Sequence, residues 1–486
     1  MRIKNILKQL VFLSLIYSAT AIAQQNSSSS AFSLKEAQDY AVKNSIQSKN
    51  AQLDYELAKA KKNEIRGIGL PQINGSADTR YNQRTIFESL INHQLDNLYE
   101  NQFKPLGFSR DQFDAYIEQQ QAASQTANTN PLDFSSLIGT TFNSRHNGTL
   151  ALNASQLLFS SEYLIALKAS KALLELNEKS IQKSNIDVKL NVAKAYYGVL
   201  VAREKAKLLD VNIVRLQKLK SDTRVLNENG FVEKIDLDRV EVAYNNLVTE
   251  REKLKNYLNL NENLLKFQMN YDILQPIVLT DTQMVNNIDQ TPVVFGKIDY
   301  NSRIEYSLLK TSEKLGKMDL DRYRLSYIPT LAAYGSLQYQ AFAPDKKFDF
   351  YYNQPWYRVT AIGASLSVPI FSGGQKYYKV QQAKLNLMKT QNTVKSLESA
   401  ISLEVSTAAV TYNNALLGIN NQKRNMDLAE GVYKVAKTKY DQGVGSNLEV
   451  LTAETSLKEA QTNYFSALFD YYIAKTDYDK ATGNIK

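Results

Sequence analysis

The chain has 486 residues, 43% hydrophobic and 22% charged, with a formal net charge of +9 and no cysteine. The missing cysteine excludes thiolate chemistry, structural disulfides and lipid attachment at an N-terminal cysteine. Beyond the N-terminal segment no run reaches the roughly twenty continuous apolar residues of a membrane helix, so entry into a membrane would have to be as a β-barrel.

Residues 1–23 read as a secretory signal peptide. Arg2, Lys4 and Lys8 precede an apolar run from Leu10 to Ile16, and Ala21-Ile22-Ala23 supplies the small-residue cleavage pattern before Gln24. A membrane anchor is the other reading, but the run is too short to span. Removing the segment takes three basic residues from the +9 and leaves +6. That excess is spread along helices and calls for no nucleic-acid partner. Residues 27–30 are serines, a short flexible leader.

A helix is expected over 33–66, then a strand at about 72–81, a long connection over 82–147 and a second strand at about 149–158. The connection carries Ile86, Leu90, Ile91, Leu95 and Leu98 at helical spacing, so short helices are expected within it. A helical hairpin follows over 160–270. None of the nine prolines lies between Pro131 and Pro276 or after Pro369. A proline inside a helix costs roughly 3 kcal/mol, so these gaps mark where the chain can stay helical. At 1.5 Å per residue the first helix of each hairpin would reach on the order of 100 Å. Leu190, Ala193, Tyr197 and Leu200 step along one face, and Val188, Val192, Tyr196 and Val199 form a second seam beside it. Two seams suit a helix packed between two neighbours.

The segment 271–299 contains Pro276, Pro292 and the β-like run Ile277-Val278-Leu279. After it the plan repeats over 300–486, with a helix over 300–326, strands at about 331–340 and 358–369, and a hairpin over 375–482. Small or apolar Leu331, Ala333, Gly335, Leu337 and Tyr339 alternate with Tyr334, Ser336, Gln338 and Gln340. Thr360, Ile362, Ala364, Leu366 and Val368 alternate with Ala361, Gly363, Ser365 and Ser367. This is the pattern of a membrane-barrel strand, and a solvated sheet is the alternative at this point. The connection between this second strand pair holds Phe348, Phe350, Tyr351, Tyr352, Trp356 and Tyr357, residues that suit a bilayer interface.

The halves are copies. Gly230 and Gly443 stand 213 positions apart, and the same offset carries Asp236 onto Glu449 and Glu241 onto Glu454. Leu70-Pro71-Gln72-Ile73 recurs as Ile328-Pro329-Thr330-Leu331. Four strands cannot close a barrel, so the chain must pair with other sheets or oligomerise. No enzymatic site emerges. His93 and His146 both lie in the long connection, without a cysteine or an arranged carboxylate cluster, and no GxxxxGK[ST] loop is present. No cofactor and no metal is expected.

Leu366-Ser367-Val368-Pro369-Ile370-Phe371-Ser372-Gly373-Gly374 and residues 440–454, from Tyr440-Asp441-Gln442-Gly443-Val444-Gly445 through Ser446 to Glu454, resemble two motifs of the TolC family of outer membrane efflux proteins. The first is that family's strand-to-helix transition, at Pro369, Phe371, Gly373 and Gly374. The second is its periplasmic tip, with Ser446 placed to cap the following helix. The resemblance covers nearly the whole chain after the signal peptide. It implies an α+β membrane protein whose four strands per protomer complete a twelve-stranded barrel in a homotrimer, with long helices forming a periplasmic α-barrel. It also implies an exit duct in the outer membrane of a Gram-negative bacterium. Such a duct is contacted by outer membrane lipid, opened by a periplasmic adaptor and energised by an inner-membrane transporter of RND, ABC or MFS type.

By the same resemblance Gly230, Gly443, Val444 and Gly445 form the adaptor-docking turns. Glu449 lines a tip constriction, Tyr440 bonds across helices in the closed state, and Asp236 sits at the matching place on the less constricted pair. Glu449 also reads as a solvated helix-start carboxylate favoured by the helix dipole, and Asp236 and Glu241 as a solvated face. The chain departs from the family pattern at Thr452, where some members carry a second acid, and at Gly445, where some carry an arginine. Drug efflux, metal-ion efflux and type I protein secretion stay open as duties of the duct. A coiled-coil envelope scaffold is the reading from another class.

Overall fold

The computed structural model describes residues 30–83, 86–125, 144, 146–281, 288–294, 296, 298–343 and 355–485. The expected signal peptide, residues 126–143 of the first strand connection, and Phe348, Phe350, Tyr351 and Tyr352 lie outside the described residues. In chain order the elements are strand β1 (Ser30–Phe32), helices α1 (Leu34–Asn44) and α2 (Ile46–Ile68), strand β2 (Gln72–Tyr81), helices α3 (Ile86–Leu98) and α4 (Arg110–Gln125) and strand β3 (His146–Phe159). There follow helices α5 (Ser161–Glu228) and α6 (Lys234–Met269), strand β4 (Ile277–Leu279), helix α7 (Ile304–Arg324), strands β5 (Thr330–Ala343) and β6 (Tyr357–Ser367), and helices α8 (Gln375–Asp441) and α9 (Asn447–Ala481). They divide between two compact units, one of Met1–Lys59, Ala172–Gly316 and Asn386–Lys486, the other of Ala60–Lys171 and Lys317–Leu385.

The helix expected over 33–66 is two helices. Ser33 opens α1 with a capping box, its side chain accepting from the Glu36 N–H and its own N–H donating to the Glu36 carboxylate. Ser45 then leaves helical geometry at ψ 140°. Its hydroxyl accepts from the Ser48 N–H at 3.2 Å, so a local side-chain bond competes with the helical ladder and breaks it. Ser30, read as leader, is instead the first residue of β1, which pairs in parallel with β4. The Tyr196 hydroxyl donates to the Phe32 carbonyl at 3.0 Å and lies equally close to the Asp281 carboxylate.

In the helical unit the two seams of α5 face two clusters. Val188, Val192, Tyr196 and Val199 are buried with Phe32, Ala37, Leu265 and Ile277, drawn from β1, α1, α6 and β4. Val201 enters a second cluster with Tyr412, Leu416, Tyr464 and Tyr471 of α8 and α9, and the Tyr197 ring stacks on Tyr472 with centroids 4.6 Å apart. Leu200, which the spacing puts on the Tyr197 seam, belongs to the first cluster. The 3.6-residue repeat drifts against a strict alternation of three and four, so seam membership shifts within a turn.

The other unit holds a sheet of four antiparallel strands in the order β2-β3-β5-β6. Strands β2 and β6 are its two edges.

Candidate functional site

Two places in the chain have the chemistry of a channel: the faces of the sheet and the turns of the two hairpins. In the sheet, pairing sets the faces. Ala77 lies opposite Leu150, Leu150 opposite Tyr339, Leu152 opposite Leu337, and Leu331 opposite Leu366. Because side chains alternate, the next positions form the other face, where Asn74 meets Asn153, Asn153 meets Ser336, Ala151 meets Gln338 and Thr330 meets Ser367. One face is therefore largely aliphatic and aromatic, with Arg358 and Thr360 at the β6 edge, and the other is mostly amide, hydroxyl and small, with Asp78, Arg80, Tyr334 and Val359 among them. The apolar face is not covered by its own chain: Ile362 is 88% exposed and Ile73 is 71% exposed. In water such a face is an unexplained cost; against hydrocarbon it is the outer wall of a barrel.

After β6, Pro369 ends the pairing, and Gly373 and Gly374 both take positive φ, 57° and 79°, before α8 starts at Gln375. Phe371 is 89% exposed in this transition.

The hairpin turns lie side by side in the helical unit. The Tyr440 hydroxyl at the end of α8 is 3.4 Å from the Thr223 hydroxyl near the end of α5. The Asn447 amide at the start of α9 donates to the Asp236 carbonyl in the first turn of α6 at 3.1 Å. Each turn closes in the same way. Gly230 N–H donates to the Asn227 carbonyl and Phe231 N–H to the Leu226 carbonyl; Gly443 N–H donates to the Tyr440 carbonyl and Val444 N–H to the Lys439 carbonyl. This closure needs a left-handed residue, and Gly230 and Gly443 supply φ of 80° and 76°. Gly445 serves a different need, since a Cβ there would stand 2.9 Å from the Tyr440 nitrogen. Any side chain at this position would collide with the backbone. The apolar side chains Phe231 and Val444 project from the two turns, 78% and 76% exposed.

Glu449 is in the first turn of α9, where the Ser446 hydroxyl caps its N–H at 3.1 Å. Its carboxylate pairs with Lys439 at 3.2 Å across the turn. Asp236 lies 3.5 Å from Arg239. Thus the structure brings Tyr440, Asp236, Glu449 and the glycine turns into one neighbourhood, while Pro369 to Gly374 belong to the sheet unit. Sequence reasoning missed Lys439 and the true setting of Glu454. Lys220 holds the Glu241 carboxyl below its usual range through a 2.7 Å ion pair. Glu454, its counterpart in the repeat, is only 4% exposed, and burial pushes its carboxyl up to about 7 against the pull of Arg215. The signal was available: the offset of 213 that maps Glu241 onto Glu454 maps Lys220 onto Tyr433. Among the described residues no group of three or more His, Asp or Glu is arranged to hold a metal ion, and no helix is long and apolar enough to cross a membrane.

A sheet with an uncovered apolar side, a polar side and, among the described residues, two unpaired edges has the make-up of a barrel sector, and the class it points to is a membrane channel whose wall needs more than one chain. Comparison with known proteins gives the same answer. The family described as outer membrane efflux protein matches residues 319–484. The outer membrane protein TolC of Salmonella enteritidis is 21% identical over 340 residues, covering 69% of this chain and 69% of that protein. A solved membrane protein from Pseudomonas aeruginosa shares the fold with a TM-score of 0.69 at 15% identity, covering 92% of each chain. The Campylobacter jejuni CmeC outer membrane channel does so with a TM-score of 0.64 at 17% identity, covering 93% of this chain and 85% of that one. Over residues 319–484 the chain carries the pattern of the outer membrane efflux protein family, and over most of its length it has the fold of the solved outer membrane channels. The proteins it resembles are outer membrane channels and secretion or efflux proteins.

Proposed function

We propose that three copies of this chain close a twelve-stranded barrel and serve as the exit duct of a tripartite export system. The observation that carries this is the register of the sheet. It separates an apolar from a polar face and leaves β2 and β6 free, so that β6 of one copy can continue onto β2 of the next. Closing the ring satisfies both edges without any further element. The polar face, with Asn74, Asn153, Ser336 and Gln338, then lines a watery lumen that takes no part in choosing cargo.

In this reading the mechanism is passive. An inner-membrane transporter loads substrate, and the helical hairpin of a periplasmic adaptor docks on the turns at Gly230 and Gly443 to Gly445. Exposed Phe231 and Val444 give that contact an apolar anchor. Three Glu449 carboxylates ring the constriction, each already neutralised in part by its own Lys439, so the ring is a weak cation filter. Tyr440 and Asp236 tie the second hairpin to the first while the tip is narrow.

The test is a photo-crosslinking residue at Val444 in living cells, with captured proteins identified by mass spectrometry, beside a native mass spectrum of the detergent-solubilised protein. Capture of a periplasmic adaptor and a three-copy mass support the reading. Capture of this chain alone in actively exporting cells, or a one-copy mass, overturns it. The transporter recovered with the adaptor tells small-molecule efflux from protein secretion.

A further inference from the structure

The repeat sets Glu454 beside a twin with the same side chain and another fate. Glu241 is half-buried and paired with Lys220; Glu454 lies on the inner side of α9, next to the cluster of Leu216, Leu219, Val240, Val450 and Ala453. Neither of its carboxyl oxygens has a hydrogen-bond partner among the described residues. Arg215 acts on it through its charge but without a hydrogen bond, and each charge around it has another contact. From α5, Arg215 lies over the Tyr433 ring at 5.3 Å and donates to Asn212 at 3.4 Å. From α8, Tyr433 occupies the place that Lys220 holds in the first repeat, and Glu430, drawn toward the same arginine, is paired with Lys434 at 2.9 Å. From α6, Glu250 pairs with Lys458, one turn further along α9. A carboxyl so placed favours its protonated form.

We propose that Glu454 is a proton-linked latch of the hairpin tips, protonated while α9 is packed against α5 and α8 and ionised when these helices part. The inference rests on the reading of the tips as the gate of the duct. Parting the helices lets water reach the carboxyl and returns it to ordinary acidity. With the packed carboxyl at about 7 and the ordinary value at 4.5, the packed state holds the extra proton between those limits. Packing is therefore fully supported below 4.5, weakens as pH rises toward 7 and is constant above it. The packed-to-parted ratio falls on the order of 10²-fold across that window. Acidification of the periplasm tightens the duct, and neutral pH leaves it ready to open.

The absence of native cysteine allows spin labels at Asn229→Cys and Gln442→Cys in the full-length protein, with distance distributions read by pulsed electron resonance from pH 4 to pH 8.5. In the otherwise native chain the distribution moves outward between pH 4.5 and 7 and is flat above 7. With Glu454→Gln it stays compact throughout. With Tyr433→Lys, which restores the partner that Glu241 has, the response within that window is lost. A Glu454→Gln protein that follows the native curve, or a native protein that shows no change, overturns the latch. Conductance in planar bilayers separates the latch from the gate. Distances that respond to pH while conductance does not uphold the latch and remove the reading of the tip as the gate; conductance with static distances removes the latch alone.

Discussion

The two hairpin turns are the same device built twice, and the second is built with more parts. Both close on a left-handed glycine with the same two backbone bonds, and the second adds one from the Gly445 N–H to the Lys439 carbonyl. At the start of the helix that follows, the first turn has Glu233, whose side chain caps nothing, whereas the second has Ser446, which caps Glu449. The first has Leu226 where the second has Lys439, the partner of Glu449. The first keeps its carboxylate Glu241 paired with Lys220, and the second buries Glu454. Duplication fixed the backbone, and the side chains diverged toward one plain tip and one equipped with charge and caps.

That contrast can be broken by substitution, read as hydrogen exchange of the tip amides. The largest effect is expected from Glu454→Leu, which removes a buried acid and slows local opening of α9 at pH 8 by about 1–3 kcal/mol, with a smaller gain at pH 5 where the acid is already neutral. Glu241→Leu, at the matching position, gives no such gain, because it leaves the largely buried Lys220 without its partner. Next, Gly443→Ala and Gly230→Ala each force a side chain into left-handed geometry and should each speed exchange of their turn by about 1–2 kcal/mol. Equal losses mean the backbone device is shared; a difference locates divergence in the backbone too. Smaller again, Ser446→Ala costs about 1 kcal/mol at the start of α9, while Glu233→Ser recovers a similar amount for α6 and narrows the gap between the turns. The smallest change is expected from Lys439→Ala. Its ion pair is solvent-exposed, so exchange is unaltered, and the variant shows instead as a stronger preference for cations in single-channel recordings.

The legible parts of this structure were those written in backbone terms. The proline-free gaps framed the long helices, alternation in Leu331 to Tyr339 marked a two-faced strand, and Gly230 and Gly443 announced turns because only glycine takes that φ freely. What stayed hidden depends on neighbours distant in sequence. The break at Ser45 comes from a hydroxyl that also reads as an ordinary helix residue. The β1–β4 pairing joins segments some 250 residues apart, and three-residue strands carry no period. Of the candidate site, the turns and Glu449 were marked by motif resemblance. The Lys439 pair and the burial of Glu454 were not, because a helix with two seams buries positions according to which partner lies beside each turn.

The free edges of the sheet also dictate an order of events in biogenesis. Strand β2 has 10 residues and β6 has 11, and each leaves one row of backbone groups unpaired. In hydrocarbon every such group costs several kcal/mol, so a solitary protomer has no stable berth in a bilayer. On the proposed three-copy reading, ring closure and insertion are one event, and before it the chain carries an uncovered apolar face and two open strand margins through water. Its yield is limited by how well that transit is chaperoned and how soon it meets its siblings.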